Sequence, residues 1–506
     1  MAELPLFPTT VVGSWPRPPW LLEALRKRQA GLLSYREFQE VADRAVLEAL
    51  RYQEEAGIDI VSDGEQRRDN FYSFVAEKLE GVRLMTLAEM LDYAEDKTFL
   101  DQTLRQLDAP SYAIKNPTVV DRIRPQMPLA LDEAQFLLKH TRAPVKVPLP
   151  GPYLLTRSMW VKGISDRVYP SQEDLAKDVV AVLREEILRL RDAGVFFVQL
   201  DEPVLTEVAF RPPVQVRTFM CASLAAATTE SPARELAWAT KLINQVVQGI
   251  QGIKLGIHIC RGNWTTDEGV LLAGDYRPLL DFLVAMKVDQ WVLELATPRA
   301  GELTAFAPYQ RVKEVGMGVV NPRSAEVEAP EAIVARVWEA LDYFDPSQVY
   351  LNPDCGFGTF AERPVNTPER AFRKLQAMVE ATRRLRRRFG AVTTAMARAQ
   401  APVSPGEVLP EEAARLVREE GAVLLDVREP WERELVRIPG ASAIPKDEVP
   451  ARVVEIPADC PVVVYCTVGE RSAEVANWLR AQGYPRAVNL AGGIVAWMIA
   501  RLPVEP

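Results

Sequence analysis

Two of the residues best suited to bind a metal lie two positions apart in the chain. His258 and Cys260 close an apolar run, KLGIHIC at 254–260, that is typical of a β-strand, and the period of a strand places both side chains on one face. Glu294 and Cys355 end two later apolar runs. An imidazole, two thiolates and a carboxylate have the number and softness that suit tetrahedral zinc. The alternative is a buried polar histidine beside two inert core thiols.

Zinc that is held by two thiolates and an exchangeable carboxylate is suited to activating a thiol. An incoming thiol displaces the weakest ligand, loses its proton to the charge of the metal and becomes a nucleophilic thiolate near neutral pH. The chemistry that these residues predict is therefore alkyl transfer to sulfur.

Short β-branched runs position these residues along 1–390, and amphipathic helical stretches separate the runs. This alternation is typical of βα units around a parallel sheet, and we count eight such runs. The sequence therefore predicts the α/β class and a (β/α)8 TIM-type barrel, whose chemistry lies at the carboxyl ends of the strands. The runs are TTVVGS (9–14), IDIVSDGE (58–65), APVKVPLPG (143–151), VFFVQLDE (195–202), KLGIHIC (254–260), QWVLELA (290–296), GMGVVNP (316–322) and VYLNPDC (349–355).

Every run except the third closes on polar or metal-capable side chains. Because strand ends converge at the mouth of a barrel, we expect these side chains to share one site; the competing interpretation is that polar residues simply collect where strands end. The stretch 66–142 is too long for one crossover helix and predicts an insertion over the mouth. The closing residues are Ser14, Asp63 with Glu65, Asp201 with Glu202, His258 with Cys260, Glu294, Asn321, and Asp354 with Cys355.

A second unit, 407–506, has its own candidate nucleophile. Cys466 ends the apolar run PVVVYC, and the loop that follows leads through Arg471 into a helical stretch. Backbone N–H groups and the helix dipole are then placed to stabilise a thiolate. The small, proline-containing stretch 391–406 predicts a linker between this domain and the barrel.

Composition and charge narrow the choice of partners. The 506 residues are 48% hydrophobic, and 60 Lys+Arg against 69 Asp+Glu leave a net charge of −9, so no overall positive field attracts nucleic acid or an anionic membrane. The sequence has neither an apolar run of about 18 residues nor a secretion signal. We therefore expect a cytoplasmic protein that binds small molecules. Five cysteines are too sparse for a disulfide framework, and Cys221 is interpreted as a buried thiol.

Residues 1–390 resemble the catalytic C-terminal barrel of cobalamin-independent methionine synthases and their single-barrel relatives. The resemblance implies zinc as the cofactor, homocysteine as the acceptor thiol, methionine as the product and a donor of the 5-methyltetrahydrofolate type. The motifs that carry it stand in the order of that family and at matching strand ends: VVGSWPRP, VSDGEQRRD, QLDEP, HICRGNW, VLELA and NPDCGFGT.

The same resemblance implies roles for individual residues. Ser14 matches the residue that contacts the homocysteine carboxylate, and Glu65 and Asp201 match the carboxylates that hold its ammonium group. The region around Trp160, GPYLLTRSMW, is implied to supply an aromatic surface for a pterin. The implied zinc ligands are His258, Cys260, Glu294 and Cys355.

Two departures from the pattern of the family leave the methyl donor open. Arg323 stands near the position where the two-barrel synthases carry a histidine that acts as a general acid, and an arginine is too basic to relay a proton. The sequence also lacks the N-terminal barrel that helps those enzymes bind polyglutamylated folate. The alternatives are a zinc alkyltransferase with another donor or acceptor thiol, such as coenzyme M, a methylated sulfur compound or a corrinoid, and a non-catalytic sensor of thiols or sulfane sulfur.

The segment CTVGERS at 466–472 resembles the active-site loop of rhodanese sulfurtransferases, and LLDVREPWE, IPGA and NLAGGIVAW stand where that family places them. The resemblance implies that Cys466 carries a persulfide and that Arg471 shapes the loop or binds an anionic donor such as thiosulfate. Arg437 replaces the usual histidine of the GHIPGA motif, for which we expect little catalytic effect. Cys460 is interpreted as a packing residue. The alternative is an inactive domain used only for binding.

Overall fold

A computed structural model of the chain describes residues 4–86, 89, 115–210, 231–263, 265–361, 364–400, 406–433, 436–500 and 502–505. The chain divides into two compact units, Met1–Thr382 and Arg383–Pro506. Cys221, predicted to be a buried thiol, and residues 90–114 of the predicted insertion lie outside the described residues. Among the described helices, none combines the length and the apolar character that crossing a membrane requires.

The strands of the first unit form an antiparallel hairpin and a parallel sheet whose order follows the sequence. Most of the parallel strands are buried along their whole length, because both faces of such a sheet are covered. This burial explains why they stand out in the sequence as continuous apolar runs. The hairpin strands are β1 (Leu79–Thr86) and β2 (Lys115–Pro125), and the parallel strands are β3 (Lys146–Pro150), β4 (Phe197–Asp201), β5 (Lys254–Ile259), β6 (Gln290–Leu293), β7 (Glu314–Val320) and β8 (Val349–Pro353).

Isolated parallel bridges close this sheet into a barrel. They bring in the first two predicted strand segments, 9–14 and 58–65, which pair with each other and with the two outer strands of the sheet. All of the eight predicted runs therefore surround one core, and the predicted (β/α)8 barrel is confirmed. The bridges are Thr9–Leu351, Thr10–Ile60 and Val61–Val145.

Helices separate the strands along the chain, as the predicted βα alternation requires. The second helix shows why they form where they do: Ser34 and Glu37 make a reciprocal capping box at its start, and Gly57 ends it with a φ of 87°. The helices are α1 (Pro19–Gln29), α2 (Tyr35–Ala56), α3 (Val75–Lys78), α4 (Leu131–His140), α5 (Pro152–Met159), α6 (Gln172–Asp192), α7 (Val204–Phe210), α8 (Pro232–Val247), α9 (Arg277–Ala285), α10 (Pro330–Ala340) and α11 (Pro368–Gln400).

The described part of the stretch 66–142 contains α3, the β1–β2 hairpin and α4. The hairpin has an irregular register between Glu80 and Val82, where Gly81 adopts a φ of 80°. A side chain at Gly81 would meet the Arg122 carbonyl oxygen at 2.5 Å, so this close approach requires glycine.

Helix α11 extends into the predicted linker at 391–406. It ends at Gln400, so the first part of that stretch is helical. The alanines of AVTTAMARAQ favour a helix, whereas Pro402 and Pro405 come only after its end. We expected an aperiodic linker over this whole stretch, and helix propensity explains the difference.

The second unit is a small α/β domain with five parallel strands in the order β11-β10-β12-β13-β9. Leu424 and Val463 belong to one apolar cluster, whereas Leu425 and Val464 belong to another. Successive residues of the central strands thus face opposite sides, and both faces of the sheet are covered. The elements are β9 (Glu407–Val408), α12 (Pro410–Glu420), β10 (Val423–Asp426), α13 (Pro430–Arg433), β11 (Ser442–Ala443), α14 (Val449–Arg452), β12 (Val462–Tyr465), α15 (Glu470–Ala481), β13 (Ala487–Leu490) and α16 (Gly493–Ile499).

Candidate metal centre and thiol loop

Three of the predicted metal ligands lie together at the carboxyl end of the barrel strands. His258 and Cys260 come from the end of β5, and Cys355 follows β8 by two residues. One ligand atom from each lies within 4.8 Å of the others, and Cys355 Sγ is 3.6 Å from His258 Nε2. We call these three residues the His/Cys cluster.

A backbone hydrogen bond determines which nitrogen of His258 faces the thiols. Nδ1 lies 3.0 Å from the Val292 carbonyl oxygen, to which it donates, so Nε2 is the ring nitrogen that faces Cys355. Histidines that bind metals ordinarily donate their other N–H in this way. The hydrogen bond from the Cys355 thiol, assisted by His258, holds the pKa of Cys260 well below its usual range despite burial. The cluster therefore favours a thiolate at Cys260. Burial opposes the charge of His258, but the hydrogen bond and charge of Cys260 raise the pKa of the imidazole, so a bound metal would have to replace the proton on that ring.

Glu294, the fourth predicted ligand, lies beside the His/Cys cluster with its carboxylate held by other groups. Oε1 accepts a hydrogen bond from Arg323 Nη2 at 3.1 Å and another from Arg299. Oε2 accepts one from the backbone N–H of Arg261 at 2.7 Å. Within the described residues, the group whose ligand atoms lie within 4.8 Å of one another has three members, and Glu294 is not among them.

Arg323 is a buried cation surrounded by acceptors. Its Nε donates to Glu268 at 2.9 Å, and its Nη1 donates to Asn263 Oδ1 at 3.3 Å. Although burial disfavours its charge, the carboxylates of Glu294, Asp354 and Glu268 raise its pKa above the usual value. Arg323 is therefore a permanent cation that positions neighbouring carboxylates, and it does not exchange protons near neutral pH.

A pocket with about 710 Å³ of empty space, part of it open to solvent, lies over the His/Cys cluster. The predicted contacts Ser14, Glu65 and Asp201 line it together with the cluster. Sequence reasoning missed further lining residues, because a single aromatic or acidic side chain on a loop or helix has no periodic signal; these are Phe71, Glu207, Asn263 and Phe360. Trp160 is not part of the lining, and its indole N–H instead donates to the Tyr169 carbonyl oxygen at 3.4 Å.

The carboxylates in this cavity are unusually easy to protonate. Burial raises the pKa of Glu65 to about 7 and that of Asp201 to about 6. Glu65 has a φ of 53°, in the left-handed region, and Gly13 leaves space for its side chain, since a Cβ at Gly13 would lie 2.6 Å from Glu65 Oε1. Among the described residues, Oε2 of Glu65 has no hydrogen-bond partner. This strained, incompletely bonded carboxylate is suited to bind a cationic ligand group.

The second candidate site is built from one segment of the second unit, residues 466–472, which we call the thiol loop. Cys466 is buried directly after β12. Its Sγ accepts a hydrogen bond from the backbone N–H of Gly469 at 3.2 Å and lies 3.3 Å from Ser472 Oγ. Gly493 packs against the backbone of the loop, since a Cβ there would lie 2.4 Å from the Cys466 carbonyl oxygen. The loop thus places a backbone donor and a side-chain donor against the sulfur.

Arg471 pairs with a carboxylate that sequence reasoning missed. It donates two hydrogen bonds of 2.7 Å to Glu432 and one of 3.0 Å to Thr467 Oγ1. Partial burial opposes the charge of Glu432, but Arg471 and Thr467 outweigh this effect and lower its pKa to about 2. The guanidinium is therefore engaged in a fixed ion pair.

Comparison with known proteins identifies the barrel. The family model for the catalytic domain of the cobalamin-independent synthase matches residues 7–384. The chain belongs to the cobalamin-independent methionine synthase family. The methionine synthase of Sulfurisphaera tokodaii is 30% identical over 388 residues, which cover 76% of this chain and 94% of that protein. The methionine synthase of Pyrococcus furiosus is 29% identical over 386 residues, with 76% and 94% covered.

Solved structures agree with the barrel fold of the methionine synthase family. A B12-independent methionine synthase from Shewanella sp. W3-18-1 superposes with a TM-score of 0.58 at 24% identity, covering 76% of this chain and 99% of that one. The family model for the rhodanese-like domain matches residues 409–500. The chain therefore combines a methionine synthase barrel with a C-terminal rhodanese-like domain.

Proposed function

We propose that the barrel transfers a methyl group to the thiol of homocysteine and so forms methionine. The observation that carries this proposal is the position of the His/Cys cluster in a cavity that Ser14, Glu65 and Asp201 also line. Membership of the methionine synthase family, and relatives of that name matched over nearly their whole length, support the same reaction.

The donors of the His/Cys cluster fit zinc. Two thiols and an imidazole whose Nε2 faces Cys355 resemble the protein ligands of catalytic zinc sites, which keep a further position for water or substrate. Zinc bound there supplies the positive charge that ionises an acceptor thiol near neutral pH. His258 contributes the correct tautomer through its bond to Val292, and Cys260 contributes a thiol with a lowered pKa.

Arg323 and Arg299 give Glu294, the predicted fourth ligand, a second set of partners. Their hydrogen bonds to Oε1 compensate the buried carboxylate when it is not a metal ligand. Glu294 would therefore keep charged partners whether or not it held the metal, so no unpaired and strongly destabilising charge would be left in the barrel. In this proposal the two arginines are positioning residues, and Arg323 does not act as a general acid.

The remaining polar residues of the cavity orient the amino acid. Glu65 and Asp201 accept hydrogen bonds from its ammonium group, which in turn lowers their raised pKa values, since a nearby cation favours the charged carboxylate. Ser14 donates to its carboxylate. Orientation of this kind holds the thiolate in line with the methyl group, which removes much of the entropic cost of the transfer.

Methionine formation from homocysteine by the zinc-loaded full-length chain tests this proposal. The donors to compare are 5-methyltetrahydrofolate, a methylated corrinoid and a methylated sulfur compound. We expect turnover with at least one of them, and we favour the folate. Cys355→Ser should abolish the turnover, whereas Cys460→Ser, a half-buried thiol of the second unit, serves as the matched control. Stoichiometric binding of homocysteine without turnover from any donor would contradict methyl transfer and favour a thiol sensor.

For the C-terminal domain we propose sulfur transfer through a persulfide on Cys466. The hydrogen bonds from Gly469 and Ser472 to its sulfur support this role, as does the match to the rhodanese-like domain model. Incubation with a sulfane-sulfur donor should increase the mass of the Cys466 peptide by one sulfur atom. An unmodified Cys466 after exposure to both thiosulfate and a persulfide would leave the domain with a binding role only.

A further inference from the structure

Three cations near the thiol loop are paired with carboxylates in the described part of the chain. Arg471 binds Glu432 in a bidentate pair, and Lys446, whose charge lies close enough to influence that of Arg471, binds Glu474. The remaining pair lies beside β12, where Arg428 contacts the ring of Tyr465 and binds Asp426. The charge of each of these three cations is therefore balanced by a carboxylate partner.

The pair between Arg471 and Glu432 is held on both sides. Thr467 donates its hydroxyl to Glu432 Oε1 at 2.7 Å and accepts from Arg471 at 3.0 Å, so three side chains form a closed ring of hydrogen bonds. The Glu432 side chain is only 13% exposed, compared with 34% for Arg471. The ring has no net charge, because the guanidinium of Arg471 balances the carboxylate of Glu432. Bidentate, charge-assisted pairs of this kind are among the stronger polar contacts in proteins.

Two exposed acidic side chains also lie in or next to these segments. Glu470 follows Gly469 in the loop and is exposed, and Glu429 is exposed just before α13, the helix that carries Glu432. The positive end of α15 and the N–H of Gly469 act on the sulfur of Cys466 itself. The ion pairs and carboxylates described here give the entrance to the loop no excess of positive charge.

We propose that the rhodanese-like domain takes its sulfur from a thiol persulfide, R–S–S–H, in preference to thiosulfate, and that Glu432 sets this preference by neutralising Arg471. The proposal rests on the sulfurtransferase function proposed above. Thiosulfate is a dianion, so it must bring two negative charges to an entrance whose cation is already paired. A persulfide brings at most one charge on its sulfur atoms. The domain then discriminates between the two donors because the two negative charges of thiosulfate interact unfavourably with this entrance.

The transfer itself needs no further reactant. The Cys466 thiolate attacks the outer sulfur of R–S–S–H, a new S–S bond forms on Cys466, and the S–S bond of the donor breaks. The donor leaves as R–S⁻ and takes up the proton of the transferred sulfur, which yields R–S–H and the Cys466 persulfide anion. The transferred sulfur keeps its oxidation state, so no oxidant or reductant is consumed.

Single-turnover sulfuration of the full-length chain by cysteine persulfide and by thiosulfate tests the proposal. The rate of persulfide formation on Cys466 is followed by mass spectrometry for each donor. We expect the wild-type protein to favour cysteine persulfide by at least about tenfold, a factor that corresponds to about 1.4 kcal/mol. Glu432→Gln frees Arg471 and should raise the ratio of the thiosulfate rate to the persulfide rate by about tenfold.

Two further variants allow the test to be made even if the Glu432→Gln variant does not fold. Glu470→Lys adds a cation at an exposed loop position without breaking the ion pair, and it should also raise the ratio. Glu412→Gln changes the net charge by the same amount as Glu432→Gln but affects only the surface pair with Arg415 on α12, so it should leave the ratio unchanged.

Two results would overturn the inference. One is a wild-type protein that reacts with thiosulfate as fast as with cysteine persulfide; the other is a ratio that does not rise in either Glu432→Gln or Glu470→Lys. Sulfuration by neither donor would contradict the proposed sulfurtransferase function as well, and this outcome differs from a simple reversal of donor preference.

Discussion

The barrel and the C-terminal domain each place a sulfur in a candidate site, but they do so over very different distances along the chain. In the barrel, Cys355 lies 97 positions from His258, and the two meet only because β5 and β8 end at the same mouth. In the thiol loop, the groups that surround Cys466 lie three and six positions away. The first site depends on closure of the whole barrel, whereas the second depends on one turn and the start of one helix.

The two sites also use arginine in opposite ways. In the barrel, Arg323 and Arg299 hold the carboxylate of Glu294. In the thiol loop, it is the carboxylate of Glu432 that holds Arg471. In both cases the arginine forms an internal ion pair. A charged residue near a site can therefore determine the position and charge of a neighbouring side chain without contacting the ligand.

The largest expected loss of activity comes from replacing the cysteine of either sulfur site, and each replacement should affect its own site only. Cys355→Ser removes a sulfur from the proposed zinc site, so bound zinc should be lost and methionine formation should fall by about a thousandfold or more. Cys466→Ser should abolish sulfur transfer and leave the zinc content unchanged. Metal analysis and both assays on the two variants measure this. Loss of zinc in Cys466→Ser would show that the sites are not independent.

A backbone substitution tests how strongly the thiol loop depends on local geometry. Gly493 adopts a φ of 60°, and a Cβ there would lie 2.4 Å from the Cys466 carbonyl oxygen. Gly493→Ala should therefore lower the free energy of unfolding of this domain by about 2 kcal/mol or more. Gly440→Ala, with a φ of 75° and nothing within 4 Å of the added Cβ, is the control for backbone strain alone.

Urea titrations that follow sulfur transfer compare the two glycine variants. Methionine formation, measured in the same samples, should change in neither. Equal losses in the two variants would mean that contact with the loop contributes nothing beyond the positive φ.

The pH dependence of the barrel reaction tests the role of Glu65. Burial raises its pKa to about 7, so below that pH the carboxyl group becomes neutral and no longer attracts an ammonium group. We expect kcat/KM for homocysteine to fall by about tenfold per pH unit below about pH 7. Glu65→Gln should lower kcat/KM at higher pH and remove this limb of the profile. An unchanged acidic limb in the variant would assign the titration to another group.

The smallest expected effect concerns Arg437, which stands where the rhodanese motif usually has a histidine. Its side chain makes an exposed ion pair of 2.9 Å with Glu505. Because such surface pairs contribute about 1 kcal/mol or less, Arg437→His should change the rate of sulfur transfer by less than about twofold. A much larger change in the single-turnover rate would connect this surface to the thiol loop.

Much of the architecture could be predicted because it depends on the pattern of apolar and polar residues within short segments of the sequence. Each buried strand is a short apolar run, and closure of the barrel needs only that such runs alternate with helices. The period of a strand placed His258 and Cys260 on one face, and the contiguous thiol loop needed no long-range information at all. The prediction of an aperiodic linker over 391–406 is wrong for its first part, because helix propensity extends α11 to Gln400.

Other features depend on distances between residues far apart in the sequence. Nothing in the local pattern of VLELA indicates that Arg323 and Arg299 hold Glu294, because ion pairs have no sequence period. For the same reason, the sequence does not indicate that Glu432 is the partner of Arg471. Trp160, whose role was inferred from resemblance, hydrogen-bonds to Tyr169 and is not part of the cavity lining.

The sequence by itself predicted the candidate chemistry of the two domains: which side chains are suited to bind a soft metal, which thiol is the candidate nucleophile and which strand ends carry them. Only the tertiary structure decided which of those groups meet and in what charge state. The physical reason is that ligand sets, ion pairs and pKa values depend on through-space distance and burial, which barrel closure creates between β5, β6 and β8. Side-chain type and strand period are local properties, and they are already present in the linear chain.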